Sequence, residues 1–350
     1  MPFSFPLAES QGVHAPTRKR TSDQAGPVKI GVVGCGALGS YYGARLCRAG
    51  EAVHFLLRSD YETVRRQGVQ IESVDGDFHV HPHCARTPEE IGTCDVVLIA
   101  LKTTVNDQLP RLVTPLAGPD TAFVLLQNGL GNESQLAAAL GPERIFGGLC
   151  FVCLNRVAPG LIRHTAYGFV VLGEHQRPPG PQVQALRRLF EDAGVPCQLT
   201  ENLEQARWEK LIWNIPFNGL GVAGAAGYDA VVRGRLEANP SLGPCLTTDV
   251  LLGDPKWESL ARKLMSEVIT AARACGFPVK EELAERNLAR TRTMAAYKAS
   301  TLIDFERHQP LELDRVFLEP LRQAQQAGVL TPRLAALCAV LQQLEERNCG

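Results

Sequence analysis

At 350 residues the chain has room for two domains with sizeable cores, and 45% hydrophobic with 21% charged residues is the balance of an ordinary globular protein. A formal net charge of −1 offers no electrostatic footprint for nucleic acid or an anionic membrane. No apolar run reaches the roughly 18 residues of a membrane span, and the nearest candidate, 211–228, is broken by Asn214, Pro216, Asn218 and several glycines. Eleven scattered cysteines form no disulfide framework, so reduced thiols in a cytoplasmic setting are expected.

Residues 1–27 are polar, carry Pro2, Pro6, Pro16 and Pro27, and include Arg18-Lys19-Arg20. They lack the apolar core of a secretory signal and read as a disordered extension. The run Val28 to Val33 then predicts a strand. It leads through Gly34-Cys35-Gly36-Ala37-Leu38-Gly39 into an amphipathic helix, Tyr41 to Ala49. Strand, G-x-G-x-x-G turn and helix make a dinucleotide-binding fingerprint. Gly34 permits the tight turn, Gly36 lets backbone approach a pyrophosphate at the helix start, and Gly39 allows close helix–strand packing. A second strand, Val53 to Arg58, ends in a guanidinium 19 residues after Gly39, where NAD-binding units carry a carboxylate. Arg58 suits a 2′-phosphate and points to NADP(H). Asp60, two positions later, keeps NAD open, and a solvated arginine is the plain alternative.

Short strands are expected near Val69 to Glu72 and Phe78 to Val80. Continuous apolar strands follow at Asp95 to Leu101, Ala122 to Leu126 and Ile145 to Leu154, with Phe169 to Leu172 in an extra β region. Helices are expected at Asn106 to Leu116 and Asn132 to Leu140. This alternation predicts an α/β, Rossmann-type parallel sheet with helices on both faces. From Pro181 the pattern turns helical: Gln182–Ala193, Asn202–Phe217, Ser259–Cys275, Glu281–Phe305, Leu311–Ala327 and Pro332–Glu346. The expected organisation is the extension 1–27, a dinucleotide domain 28–199 and an all-helical domain 200–347, with the site in the cleft between the two domains.

Lys102 follows one buried strand and Gln127-Asn128-Gly129 the next, where open α/β sheets bind ligands. A solvated lysine and an Asn-Gly turn are the plainer readings. In Trp208 to Asn218, residues Trp208, Leu211, Ile212 and Ile215 form a core face. Lys210, Asn214 and Asn218, four apart, make a stripe roughly 110° from its centre. Solvated stripes favour Glu, Lys or Arg over Asn, so this stripe reads as a polar pocket wall. Pro216 should kink the helix, which would put Asn218 at or past its end. Ser300 and Asp304 lie one helical turn apart, while Glu312 and Asp314 begin a helix, where a carboxylate is common for capping alone.

Two patterns are set aside. His79, His81 and His83 alternate, but Pro82 interrupts the strand and no metal is expected. Cys150-Phe151-Val152-Cys153 lies within an apolar strand whose alternation sends the two sulfurs to opposite faces, as buried inert thiols.

Taken together, the Gly34–Gly39 turn, Lys102, Gln127-Asn128-Gly129, the Lys210, Asn214, Asn218 series, Ser300 and Glu312-Leu313-Asp314 resemble the ketopantoate reductase (2-dehydropantoate 2-reductase) family, from about Val28 to the C-terminal helix. The resemblance implies a Rossmann domain joined to a helical domain like that of 6-phosphogluconate dehydrogenase. It also implies NADPH-dependent reduction of 2-dehydropantoate to (R)-pantoate on the route to pantothenate and coenzyme A, with a homodimer as a family-level expectation. Lys210 would be the general acid. Asn214, Asn218 and Ser300 would hold the keto acid, and Asn128 would touch both substrate and cofactor. Lys102 and Glu312 would serve the cofactor side, with Glu312 also orienting Lys210. One departure is Tyr228, which stands where pantoate reductases of the family often carry asparagine; Tyr228 or Asp229 would substitute, or the substrate is another 2-oxo acid. A non-catalytic NADPH-binding regulator is the alternative of another class.

Overall fold

The computed structural model describes residues 26–238 and 241–349, so the expected extension lies outside the described residues except for Gly26 and Pro27. Among the described residues ten strands form one sheet: β1 Lys29–Val33, β2 Ala52–Leu56, β3 Val69–Ser73, β4 Phe78–Val80, β5 His83–Ala85, β6 Val96–Ile99, β7 Ala122–Leu125, β8 Ile145–Ala158, β9 Leu161–Glu174 and β10 Cys197–Leu199. Their order is β4-β3-β9-β8-β7-β6-β1-β2-β5, with β10 beside β9. Among these strands only β3–β4 and β8–β9 pair antiparallel. The mostly parallel sheet agrees with the sequence reading. β5 and β10, three residues each, were too short to show a period.

The sheet is curled, for a reason its order contains. β4 ends at Val80 and β5 begins at His83, three steps that span at most roughly 11 Å. In a flat sheet those outermost strands would stand roughly 38 Å apart, at about 4.8 Å per gap. The edges must therefore curve toward one another. Helix α1, Ala37–Arg48, lies inside the curl and touches β1 to β4, β6, β8 and β9. Every residue from Gly39 to Leu46 is buried, so α1 is wrapped on all sides rather than amphipathic as expected.

Alternate strand residues face two cores. Ile30, Val32, Leu98 and Val124 join α1 and α6, Pro181–Asp192, on the concave side. Val33, Val97, Ile99, Phe123 and Leu125 face the outer layer, which includes α3 (Pro88–Ile91), α4 (Leu109–Val113) and α5 (Asn132–Leu140). A further unforeseen helix, α2, spans Tyr61–Gln67. The helix expected over Asn106 to Leu116 is α4 flanked by two 3₁₀ turns, because Pro110 and Pro115 interrupt the hydrogen-bond ladder.

The remaining helices, α7 Leu203–Ala223, α8 Tyr228–Arg233, α9 Thr248–Gly253, α10 Pro255–Ala274, α11 Glu282–Arg292, α12 Ser300–Glu306, α13 Glu319–Gln326 and α14 Pro332–Cys349, build a separate core. Helix α7 continues through Pro216, which corrects the expected end near Phe217 and places Asn218 inside the helix. A mid-helix proline costs roughly 3 kcal/mol, whereas burying Ile215, Phe217, Leu220 and Val222 returns about 1.5–3 kcal/mol each. The single helix expected over Glu281–Phe305 is two, α11 and α12. The chain breaks at 293–299, where Ala295 takes φ of 53°. Among the described residues no helix is long and apolar enough to cross a membrane.

Candidate active site

The glycine turn divides its labour. A side chain on Gly34, at φ 102°, would run into the backbone of Leu101, and one on Gly39 into the carbonyl of Gly34. These two glycines let α1 sit tightly on the sheet. Gly36 is different: a Cβ there would meet nothing within 4 Å, and the residue caps α1 and lines a cleft of about 630 Å³. The cradle is open backbone beside a helix N-terminus, which fits a pyrophosphate. Ala37 and Leu38 line the cleft as well. Cys35 turns inward, its Sγ 3.5 Å from Val32 O, and burial pushes its thiol pKa up.

The carboxyl ends of β6 and β7 supply the next part of this wall. Lys102, just past β6, forms an ion pair with Asp304 on α12. The adjacent Thr103 amide donates to Glu312 Oε1 at 2.8 Å. Past β7, Gln127 Nε2 donates to Leu101 O (3.0 Å) and Asn106 Oδ1 (2.7 Å), and Asn106 in turn holds Asn132 at 2.9 Å. Gln127 Oε1 is buried without a hydrogen-bond partner. Gly129 takes φ of 89° against the Arg315 carbonyl, and Leu130 N donates to that oxygen at 3.0 Å.

Helix α7 supplies the opposite wall. Asn202 starts it by accepting from Gln205 N at 2.9 Å. One turn before the polar stripe, buried Arg207 reaches across to the sheet: it pairs with Glu133 of α5 and donates to Gln127 O at 2.8 Å. Lys210 is thereby set against the strand ends. Its Nζ donates to Asn128 Oδ1 (2.9 Å) and Cys150 O (2.8 Å), with the Phe151 ring 5.2 Å away. Asn214 and Asn218 are buried on the same wall. Asn218 Oδ1 accepts from Thr301 N (3.0 Å) and Ser300 Oγ (3.3 Å), tying the start of α12 to α7.

The electrostatics follow from enclosure. Burial pulls the Lys210 ammonium down to about 8, with Arg207 adding to the effect and Glu312 opposing it. Protein surrounds the side chain, but part of its surface opens on the cleft. Burial likewise raises the Glu312 carboxyl above its ordinary range, against the Thr103 amide and Lys102. An ammonium poised near neutrality can donate a proton in water-excluded surroundings.

Ten of the sequence-predicted residues therefore line one cleft: Gly36, Ala37, Leu38, Lys102, Asn128, Lys210, Asn214, Asn218, Ser300 and Glu312. Gly34, Cys35 and Gly39 support it from behind. Arg58 is exposed past β2 and outside the lining, beside buried Asp60. Glu312 binds the Thr103 amide, while Asn128 and Cys150 hold Lys210. One expectation needs correction, the substitution by Tyr228 or Asp229 for the family's asparagine. Tyr228 packs edge-on against Trp257 at 5.1 Å, and neither it nor Asp229 lines the cleft. Cys150 and Cys153 lie on β8, where every residue from Leu149 to Arg156 lines the cleft; burial keeps both thiols protonated, Cys150 up to about 11. His79 and His83 sit on opposite outer strands, and His83 stacks on His54 at 4.6 Å. Asp304 and Arg156, both in the lining, were missed as site residues. The four-residue spacing from Ser300 signalled Asp304, but nothing local signalled Arg156.

Comparison with known proteins agrees with this architecture. Residues 30–177 match the family model "Ketopantoate reductase PanE/ApbA", and 238–345 match that of its C-terminal domain. The chain belongs to the ketopantoate reductase family. It is an oxidoreductase of this type, 38% identical to a 2-dehydropantoate 2-reductase of Nostoc over 91% of this chain and 96% of the relative. The crystal structure of the Geobacter metallireducens 2-dehydropantoate 2-reductase is similar at TM-score 0.81 and 40% identity, covering 90% of this chain and 99% of that one. A D-mandelate dehydrogenase solved with NADH and anilino(oxo)acetate shares the fold at TM-score 0.77 and 17% identity, over 91% of this chain and 99% of that one.

Proposed function

We propose that this chain reduces 2-dehydropantoate to (R)-pantoate with NADPH, feeding pantothenate and coenzyme A synthesis. The observation that carries the reading is the Lys210 ammonium, enclosed and fixed by Asn128 Oδ1 and Cys150 O where α7 meets the strand ends. Gly36, Ala37 and Leu38 would hold the dinucleotide's pyrophosphate, Arg58 its 2′-phosphate, and Lys102, Asn128 and Glu312 its nicotinamide half. When bound, NADPH supplies the hydride. Lys210 donates the proton to the substrate's carbonyl oxygen, and its charge stabilises the alkoxide that develops there. Asn214, Asn218 and Ser300 orient the substrate's carboxylate and hydroxyl. Because Asn128 and Asn218 already use their side-chain oxygens as acceptors, their amide groups meet ligands as donors.

A second reading, reduction of another 2-oxo acid, is favoured by one observation: Tyr228, at the departing position, faces Trp257 instead of the cleft. NADPH oxidation measured across a panel of 2-oxo acids separates the readings. 2-Dehydropantoate is expected to give the highest kcat/KM. A different best substrate would favour the second reading, and no acceleration by any keto acid would leave only a nucleotide-binding regulator.

A further inference from the structure

In dinucleotide-binding folds the residues just past the second strand meet the adenosine ribose, where a carboxylate accepts from the 2′-hydroxyl of NAD and repels the 2′-phosphate of NADP. Past β2 this chain carries both signals, exposed Arg58 and buried Asp60. Asp60 is already engaged. Its Oδ2 accepts from Arg156 Nε at 2.9 Å, and Oδ1 accepts from Arg156 Nη2 and, at 2.9 Å, from Ser59 Oγ. Arg156 belongs to β8, 96 residues further along the chain, and its side chain is 37% exposed while lining the cleft. The bidentate fork is the strongest geometry a guanidinium offers a carboxylate, and it makes the Asp60 pair neutral overall.

We propose that Arg156 determines specificity at the dinucleotide's 2′ position: by engaging both oxygens of Asp60, it withdraws from the ribose site the carboxylate that would select NAD. The positive charge of Arg58 then stands unopposed by that carboxylate. The antiparallel β8–β9 hairpin thus reaches the adenosine end of the cleft as well as the Lys210 end, where Cys150 of the same strand accepts from the ammonium. This inference rests on the NADPH reading above, and the test separates the two.

Dissociation constants for NADPH and NADH are measured by fluorescence titration on the full-length protein, R156Q, D60N and the double variant, with circular dichroism as the check on folding. In R156Q, Asp60 loses its partner, and the preference for NADPH over NADH is expected to fall by about tenfold or more, as an uncompensated like charge disfavours one ligand selectively. In D60N the preference is expected to hold or rise, and the double variant should return toward the wild type. A purely structural pair would weaken both cofactors together in R156Q, and an unchanged ratio in that variant overturns the proposal. A double variant as impaired for NADPH as R156Q would make Arg156 a direct phosphate ligand and also overturns it. If R156Q fails to fold, D60N decides: a fall in its ratio refutes the inference. The wild-type ratio tests the NADPH reading independently, since absence of any NADPH preference sinks that reading while a shift toward NADH in R156Q still supports the role of Arg156.

Discussion

The two walls of the cleft are built on different physical terms. The sheet wall is mostly backbone and short polar side chains at strand ends: a glycine turn, the amides of α1, and the Gln127–Asn106–Asn132 network. The α7 wall is one long helix whose titratable group is displaced from its ordinary chemistry by burial. The glycine turn of the first wall is built within its own strand, helix and neighbouring strand end. The second wall has meaning only when held against the first, because Lys210 takes both its hydrogen-bond acceptors from the sheet side. On the function proposed above, dinucleotide binding belongs to the first wall, and substrate orientation and proton donation to the second.

The largest test of that division is Lys210→Ala. It should lower kcat by about 10²–10⁴-fold, the range for a positioned acid, while NADPH affinity by titration changes little. Equal losses in both would erase the distinction between the walls. Next is the join itself. Arg207→Met leaves the Glu133 carboxylate buried without its cation, and breaking such a pair costs roughly 3–5 kcal/mol. Denaturant unfolding should show this loss, and a change below about 1 kcal/mol would mean that the pair behaves as an exposed one. The smallest effect is a pH profile. Lys210 is charged below about 8, so kcat/KM for the keto acid should fall roughly tenfold per pH unit above that value. Stability moves the other way. Between about 8 and the ordinary lysine value near 10.4 the unfolded chain binds this proton more tightly, so the Lys210 contribution to stability rises with pH. Activity that held flat to pH 10 would remove Lys210 from the proton transfer.

The same division explains what could be read from the chain. The glycine turn is local, and each glycine's neighbours lie within its own strand–turn–helix unit or on the adjacent strand end, so spacing alone announced it. The Lys210, Asn214, Asn218 stripe was visible because two asparagines are poor choices for a solvated helix face. Its partners were not, because Asn128 and Cys150 are 82 and 60 residues away. The extent of α7 was misjudged by giving Pro216 its local cost without the burial that outweighs it. The partner of Glu312 was hidden in the same way: a carboxylate near a helix start implies an amide of its own helix, but the Thr103 amide from which it accepts lies 209 residues away. Tyr228 and Trp257 meet at the edge of the helical core, a contact that no periodicity foretells.

The curled sheet has a consequence for how copies of this chain meet. A sheet's outermost strands ordinarily present unpaired amides and carbonyls as a template for another chain's strand. Here β4 and β5 have only three residues each and are joined by Pro82 and its neighbour. The short link draws one rim toward the other, so an incoming strand would find a brief ladder and little room beside it. A ten-stranded sheet is thus guarded against edge-to-edge growth by its connectivity, with no charged gatekeeper required on the rim.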